Sequence, residues 1–165
     1  VGASVASETT AAATGAVGVV RRDPMAMKPF CGYNFGDYWT HWLNVGAKLK
    51  HPPKIFHVNW FRQGADNKFL WPGFGDNLRV LSWMLDRCEG KAQAHDTPIG
   101  YLPRSEDLDT QGLDIQAETL KELLSVKDEA WRQEVVDIRA YLAEFGARTP
   151  GALYAELETV QDRLG

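Results

Sequence analysis

The spacing of apolar side chains predicts two well-defined helices in the first half of the chain. Asn34, with Asp37 three residues later, resembles a capping box, and apolar residues then return every three or four positions. These residues are Phe35, Tyr38, Trp39, Trp42, Leu43 and Leu49. The helix is expected to end near Lys50, because Pro52 and Pro53 cannot continue it. A second stripe predicts a helix capped by Asp76 or Asn77 and ended by Gly90, with the apolar residues Leu78, Leu81, Leu85 and Cys88.

Alternating β-forming residues predict a strand at residues 55–60, followed by a polar turn and a short apolar run at residues 69–71. This arrangement is typical of a β-hairpin with a loop longer than two residues. Residues 98–103 predict a short buried strand, and three helical patterns follow, at residues 116–124, from a Ser125 cap, and from Thr149 and Pro150. The order of elements predicts an α/β fold with too few strands for a complete sheet.

Residues 1–18 consist almost wholly of small side chains and carry one charge, Glu8. Such a segment gives little to pack, so two interpretations are open. It is either a frayed terminus or a lid that orders and disorders at low cost.

Charge and composition narrow the class of protein. The net charge is −4, with 11 Lys/Arg against 8 Asp/Glu in residues 1–103 and 7 against 14 in residues 104–165. A first part at +3 is too weakly basic for a nucleic-acid footprint, and we expect no nucleic-acid or membrane partner. Cys31 and Cys88 are expected to be reduced thiols in a cytoplasmic protein. No signal peptide is visible, and neither the cysteines nor the four histidines have metal-ligand spacing.

Aromatic residues are concentrated in one stretch, since 13 of the 18 rings fall between Phe30 and Trp83. Phe61, Phe69 and Phe74 surround the predicted hairpin and a Pro-Gly-Phe-Gly loop that opens onto a helix. Two rings on opposite sides of a slot can sandwich a base, and the amide of Asn77 can read the edge of a purine. The alternative is that these rings are core and that Asn77 is only a helix cap. No GxxxxGK[ST] phosphate loop occurs in the sequence.

Three segments resemble one known family. SETTAAA at residues 7–13, DPMAMKPFCGYNFGDY at 23–38 and VNWFRQGADNKFLWPGFGDN at 58–77 are similar to the C-terminal part of GTP-dependent phosphoenolpyruvate carboxykinases, notably the actinobacterial ones. The resemblance runs from Val1 to about Pro103 and more loosely to the end. It implies that residues 1–165 are the C-terminal portion of a larger mixed α/β nucleotide-binding domain, with short strands and an acidic outer layer of helices at 104–165.

The resemblance also assigns roles to positions. Residues 1–18 match the family's mobile lid, whose motif is Ser7, Glu8, Thr9, Thr10, Ala11, Ala12 and Ala13. Phe30 matches an aromatic ring beside the active site. Residues 55–77 match the guanine-pocket hairpin and loop, and the implied GTP-binding residues are Phe61, Phe69, Phe74, Gly75, Asp76 and Asn77. Asp76 stands where glutamate is frequent, Lys28 where arginine is frequent and Cys31 where an aromatic residue is frequent.

The implied reaction is the gluconeogenic conversion of oxaloacetate and GTP to phosphoenolpyruvate, GDP and CO2, with Mn2+ at the active site and Mg2+ on the nucleotide. The family's phosphate loop, metal ligands and substrate-binding arginines would lie upstream of Val1, so no catalytic or metal-ligating residue is assigned in this segment. We therefore expect the 165-residue piece alone to be inactive. The enzyme is expected to be a cytoplasmic monomer, with the remainder of the same chain as this segment's partner. The alternative function is a stand-alone purine-binding or interaction module without catalysis.

Overall fold

The computed structural model describes residues 4–6, 20–24 and 27–165. Within this part of the chain, helices outnumber strands, and the strands form two small antiparallel pairs. The elements are β1 (Ser4–Ala6), β2 (Val20–Arg22), α1 (Phe35–Lys48), α2 (Asn77–Cys88), β3 (His95–Thr97), β4 (Gly100–Leu102), α3 (Ala117–Leu123), α4 (Asp128–Ala143) and α5 (Gly151–Leu164). The predicted mixed α/β class, with short strands and many helices, is confirmed.

Strand β1 pairs with β2, with Ser4 opposite Arg22, and β3 pairs with β4, with His95 opposite Leu102. The second pair turns tightly, because Gly100 has a φ of +115° that side chains rarely adopt and the Thr97 hydroxyl donates to the Gly100 carbonyl at 2.6 Å. The sequence predicted only the β4 half of this hairpin.

The chain divides into two compact units: a first unit of residues 1–53 and 133–159, and a second unit of residues 54–132 and 160–165. In the described part of the first unit, aromatic rings of α1 pack against rings at the end of α4. Ring centroids are 5.1 Å apart for Phe35 and Trp39, 4.8 Å for Trp39 and Phe145, and 5.2 Å for Tyr141 and Phe145. This packing explains why α1 carries so many aromatic residues, since one face of the helix is the core of the unit.

The start of α1 is tied to the same packing. The side-chain oxygen of Asn34 accepts from the Gly36 amide at 2.8 Å, so Asn34 is the cap as predicted, and its amino group donates to the Phe145 carbonyl at 3.2 Å. The predicted capping box is wrong in its second half, because the Asp37 carboxylate accepts from the Arg148 guanidinium at 2.7 Å. Gly36 lies so close to the 146–148 turn that a Cβ would stand 2.4 Å from the Arg148 carbonyl oxygen. Only glycine allows this approach.

The second unit has a smaller core, in which Trp83 of α2 packs with Leu108 and Leu120 and contacts Phe56 edge to face at 6.2 Å. The guanidinium of Arg62 links the turn at residues 62–70 to the end of α3. It donates to the carbonyls of Leu123 and Ser125 at 3.0 and 2.9 Å and to the Ser125 hydroxyl at 3.0 Å. The part of the chain that bears the predicted pocket is therefore anchored to this unit's own core.

The strand predicted at residues 55–60 is wrong. Residues 54–59 carry no strand pairing, and Ile55 is 88% exposed. Alternating apolar and polar residues allow a segment to form a strand, but a strand also needs a neighbouring strand to pair with. Among the described residues, no strand pairs with residues 54–59. Of the predicted hairpin, a single bridge between Gln63 and Phe69 is present.

Two smaller expectations also fail. Residues 98–103 are not a buried strand, because only Gly100–Leu102 are extended and Tyr101 is exposed. Ser125 is not the cap of α4, since its hydroxyl donates back to the Glu122 carbonyl at 2.7 Å and closes α3, while α4 begins at Asp128. Whether the helices of 104–165 form an outer layer of a larger domain stays a prediction.

Candidate functional site

The predicted pocket residues lie on a short turn and on the loop that leads into α2, all in the second unit. The turn is closed by hydrogen bonds from the Gly64 amide to the Lys68 carbonyl at 3.0 Å and from the Leu70 amide to the Arg62 carbonyl at 2.9 Å. Asn67 adopts a φ of +59°, which asparagine tolerates better than most residues. The turn thus holds Phe61 and Phe69 on its two arms.

The rings of Phe61 and Phe69 contact each other edge to face, with centroids 5.8 Å apart and planes at 63°. They are 66% and 58% exposed, so most of both rings faces outward. A base can stack between two rings only when the ring planes are parallel and stand apart, and two rings in edge-to-face contact leave no such gap. Phe61 and Phe69 therefore do not enclose a base between themselves, but they offer one continuous apolar wall.

Phe74 has the least common backbone conformation in the site. Gly73 has a φ of +82° and Phe74 a φ of +47°, and the 3-10 turn Phe74–Asp76 connects them to α2. A bulky residue at positive φ is an outlier that costs on the order of 1 to 3 kcal/mol. The Phe74 ring is nevertheless 96% exposed, so burial of the ring does not compensate for this strain.

Asn77, the first residue of α2, does not act as a helix cap through its side chain. Its carbonyl oxygen accepts from the indole nitrogen of Trp71 at 2.9 Å, and Asp76 occupies the cap position without a capping hydrogen bond. Trp71 is only 4% exposed. The amide thus bridges a buried ring and the loop surface, which the sequence-based alternative of a simple cap does not describe.

Asp76 and Gly75 lie beside a shallow cavity on the same loop. The Asp76 carboxylate accepts from the Arg79 guanidinium at 3.0 Å, and Arg79 also donates to the Asp109 and Gln111 carbonyls at 2.9 and 3.0 Å. The cavity has a volume of about 330 Å³ and is lined by Gly75, Asp76, Leu78, Arg79, Ser82 and Asp109. The Asp76 side chain is thus engaged in holding the loop at 109–111 against the start of α2.

Two titratable groups close to the site have shifted pKa values. The Asp66 carboxylate accepts from the Lys68 amide at 3.1 Å, and this hydrogen bond lowers the pKa of Asp66. Partial desolvation lowers the pKa of His57. Neither shift produces an acid or base poised for proton transfer to a ligand on the loop.

Phe30 belongs to the first unit. It ends the 3-10 turn Lys28–Phe30, where its ring is exposed. Two contacts of Lys28 stabilise this turn. Its amide donates to the buried Asp23 carboxylate at 2.7 Å, and its ammonium lies 5.2 Å from the centre of the Tyr141 ring. Of the predicted lid, residues 7–13 and the rest of the small-residue run to 18 lie outside the described residues.

Sequence reasoning missed the contacts that support the loop. These are the bond between Trp71 and Asn77 and the anchors made by Arg62 and Arg79. The sequence does contain a signal for the contact between Trp71 and Asn77, because a buried indole N–H usually has a hydrogen-bond acceptor. Asn77 is the first residue after Trp71 whose neutral side chain carries an acceptor oxygen. The arginine anchors reach carbonyls 30 to 63 residues away, and no local pattern indicates them.

The described residues contain no group of three or more His, Cys, Asp or Glu side chains that could hold a metal ion. Among the described helices, none has the length and apolarity needed to cross a membrane.

The chain is similar to a family model and to a set of named proteins. The family model for the phosphoenolpyruvate carboxykinase C-terminal P-loop domain matches residues 1–163. Proteins named phosphoenolpyruvate carboxykinase [GTP] are 52% identical in Paenarthrobacter aurescens, 52% in Neocallimastix frontalis and 48% in Thermoplasma volcanium. Each match covers 99% of this chain but 27% of the relative's own length, so the chain spans about a quarter of these relatives.

Proposed function

The chain belongs to the GTP-dependent phosphoenolpyruvate carboxykinase family, and we propose that it supplies the guanine-binding surface of such an enzyme. In this function Phe61, Phe69 and Phe74 contact the base and Asn77 reads its edge. The observation that carries the proposal is the exposed ring of Phe74 on a strained backbone. Strain of this kind clusters at ligand-binding sites, and the exposed face of the ring is available for stacking on a base.

The base would bind against the wall formed by Phe61 and Phe69, with Phe74 as the third ring. Each stacking contact contributes roughly 1 to 3 kcal/mol, and stacking alone does not distinguish one base from another. The choice of guanine therefore depends on hydrogen bonds at the base edge, where Asn77 has the suitable chemistry. Gly75 lets the backbone approach the ligand, and Asp76 holds the loop through Arg79.

The reaction of the whole enzyme would be decarboxylation of oxaloacetate, with breakage of the carbon–carbon bond to CO2. The enolate oxygen that results then takes the γ-phosphoryl group of GTP, which leaves GDP and phosphoenolpyruvate. In this proposal the phosphate loop and the metal ligands belong to other parts of the protein, and this segment binds and orients the nucleotide. The lid at Ser7 to Ala13 and the placement of Phe30 beside the substrate are further parts of the proposal. The names of the relatives favour this enzyme over a stand-alone purine-binding module.

The proposal is tested by kinetics of the full-length protein that contains this chain. Phe74→Ala is expected to raise KM for GTP about tenfold, because loss of one stacking contact costs about 1.4 kcal/mol. Tyr101→Ala is the control, since Tyr101 is a ring of the same unit that lies outside the loop and is also largely exposed, at 66%. Equal KM values for the Phe74 variant and the unaltered enzyme would contradict the proposal.

A further inference from the structure

The bond between Trp71 and Asn77 determines which half of the Asn77 amide is available to a ligand. We propose that Trp71 is a positioning residue for base preference: it holds the Asn77 carbonyl oxygen and thereby turns the amino group toward the base. The site then selects purines with a carbonyl at position 6 over purines with an amino group there. This inference rests on the proposed function of Asn77 as the reader of the base.

The chemistry of the two groups settles the orientation of the amide. An indole N–H is a donor only, so the amide atom at 2.9 Å from it must be the carbonyl oxygen. Trp71 is 4% exposed, and the N–H of a buried indole usually has an acceptor, which here is Asn77. Flipping the amide would oppose two donors in a buried position, which is unfavourable.

The other half of the amide is unused by the described residues. Asn77 is half-buried, and its amino group donates to none of the side chains or carbonyls in the described part of the chain. Asn77 also begins α2 with helical backbone angles, so its backbone is fixed by the helix. A rigid backbone and an anchored carbonyl oxygen together leave the amino group with one direction to face.

An amino group in a fixed direction distinguishes two classes of purine. Guanine carries an acceptor oxygen at position 6, whereas adenine carries an amino donor there. The Asn77 amino group can donate to the first, but opposite the second two donors meet and neither is satisfied. Without the indole N–H, the Asn77 amide can rotate and present its oxygen to the amino group of adenine. The enzyme would then lose its preference for guanine over adenine but would still bind a purine nucleotide.

The test is a double-mutant cycle in the full-length enzyme, measured as the ratio of kcat/KM with GTP to kcat/KM with ATP. Asn77→Ala removes the side-chain amide that is proposed to bind the base edge. Trp71→Phe removes only the indole N–H donor and keeps an aromatic ring. We expect Trp71→Phe to lower the ratio about tenfold through a higher KM for GTP, with kcat for GTP little changed. In the Asn77→Ala background the same change should have no further effect.

Trp83→Phe is the matched control, because the Trp83 indole is equally buried in the same unit but has no hydrogen-bond partner among the described residues. It should leave the GTP to ATP ratio unchanged. Both nucleotides are measured on one preparation, so the ratio does not depend on the fraction of enzyme that is folded.

The outcomes separate the inference from the function on which it rests. An unchanged ratio in Asn77→Ala means that Asn77 does not read the base, and the proposed role of Asn77 fails. A lower ratio in Asn77→Ala with an unchanged ratio in Trp71→Phe overturns only the role of Trp71. If Trp71→Phe yields no active enzyme, Asn77→Asp decides, since its carboxylate accepts from Trp71 but has no donor for the base. The ratio must then shift toward ATP, and an unchanged ratio overturns the inference.

Discussion

Two groups of aromatic rings, one in each unit, have opposite surroundings. In the first unit Phe35, Trp39 and Tyr141 are buried and contact one another or Phe145 edge to face. In the second unit Phe61 and Phe69 touch only along one edge, and Phe74 is almost fully exposed at positive φ. The residue type is the same in both, so composition does not distinguish a core from a candidate ligand surface, whereas exposure and backbone conformation do.

The largest loss of stability is expected from a substitution at Trp39, which lies among the buried rings of the first unit. Trp39→Ala should lower the free energy of unfolding by about 3 to 5 kcal/mol, because it removes a ring packed against Phe35, Tyr141 and Phe145 and leaves a cavity. Urea titration followed by circular dichroism measures the loss. Phe61→Ala, the exposed counterpart, should change the stability by no more than about 0.5 kcal/mol. Similar losses in both variants would remove the distinction between the two groups.

The second effect tests how closely α1 approaches the 146–148 turn. Gly36→Ala should destabilise the protein by about 1 to 3 kcal/mol, since the new Cβ would stand 2.4 Å from the Arg148 carbonyl oxygen and force the backbone apart. Gly46→Ala, on the same helix, has no heavy atom within 4 Å of its Cβ and should stabilise by roughly 0.5 to 1 kcal/mol. Thermal unfolding of both variants gives the two signs, and a stabilising Gly36→Ala would contradict the packing.

Helical periodicity predicts the bounds of α1, α2 and α3 to within about two residues, because apolar spacing, caps and prolines are local signals. It does not predict which face of α2 is buried, since Leu78, Leu81, Leu85 and Cys88 are exposed and the buried residue of this helix is Trp83. The strand at 55–60 is wrong because pairing depends on a distant edge, which no local pattern supplies. The rings of the candidate site are predictable as members of one loop. The sequence does not predict that these rings are exposed or that Phe74 points outward, because this depends on the backbone geometry at Gly73. It does not predict the contact of Trp71 with Asn77 either, because that contact depends on packing across the loop.

The third effect tests whether the exposed group stores strain. Phe74→Gly should be more stable than Phe74→Ala by about 1 kcal/mol, because glycine adopts a φ of +47° without the clash that any Cβ suffers. Both variants lack the ring and should lose the same affinity for GTP, so the difference in stability isolates the backbone. Denaturant midpoints and GTP titrations of the two proteins provide the measurements. Equal midpoints would mean that the loop relaxes and that no strain is held at Phe74.

The smallest effect at neutral pH concerns Tyr141, at the edge of the buried group. Its hydroxyl is buried without a hydrogen-bond partner among the described residues, so Tyr141→Phe should change the stability at pH 7 by less than about 1 kcal/mol. Burial raises the pKa of Tyr141 to about 12, while an unfolded tyrosine titrates near 10.

Above pH 10 the unfolded chain releases the Tyr141 proton while the folded chain keeps it, so stability must fall between pH 10 and 12. Tyr141→Phe cannot lose this proton and should show a shallower decline over that range. Tyr101→Phe, which alters an exposed ring, should keep the slope of the unaltered protein. Urea midpoints at pH 8, 10 and 11 compare the three proteins. Equal slopes for the Tyr141 variant and the unaltered protein would show that the hydroxyl reaches water, and that the buried group is more open than its ring contacts indicate.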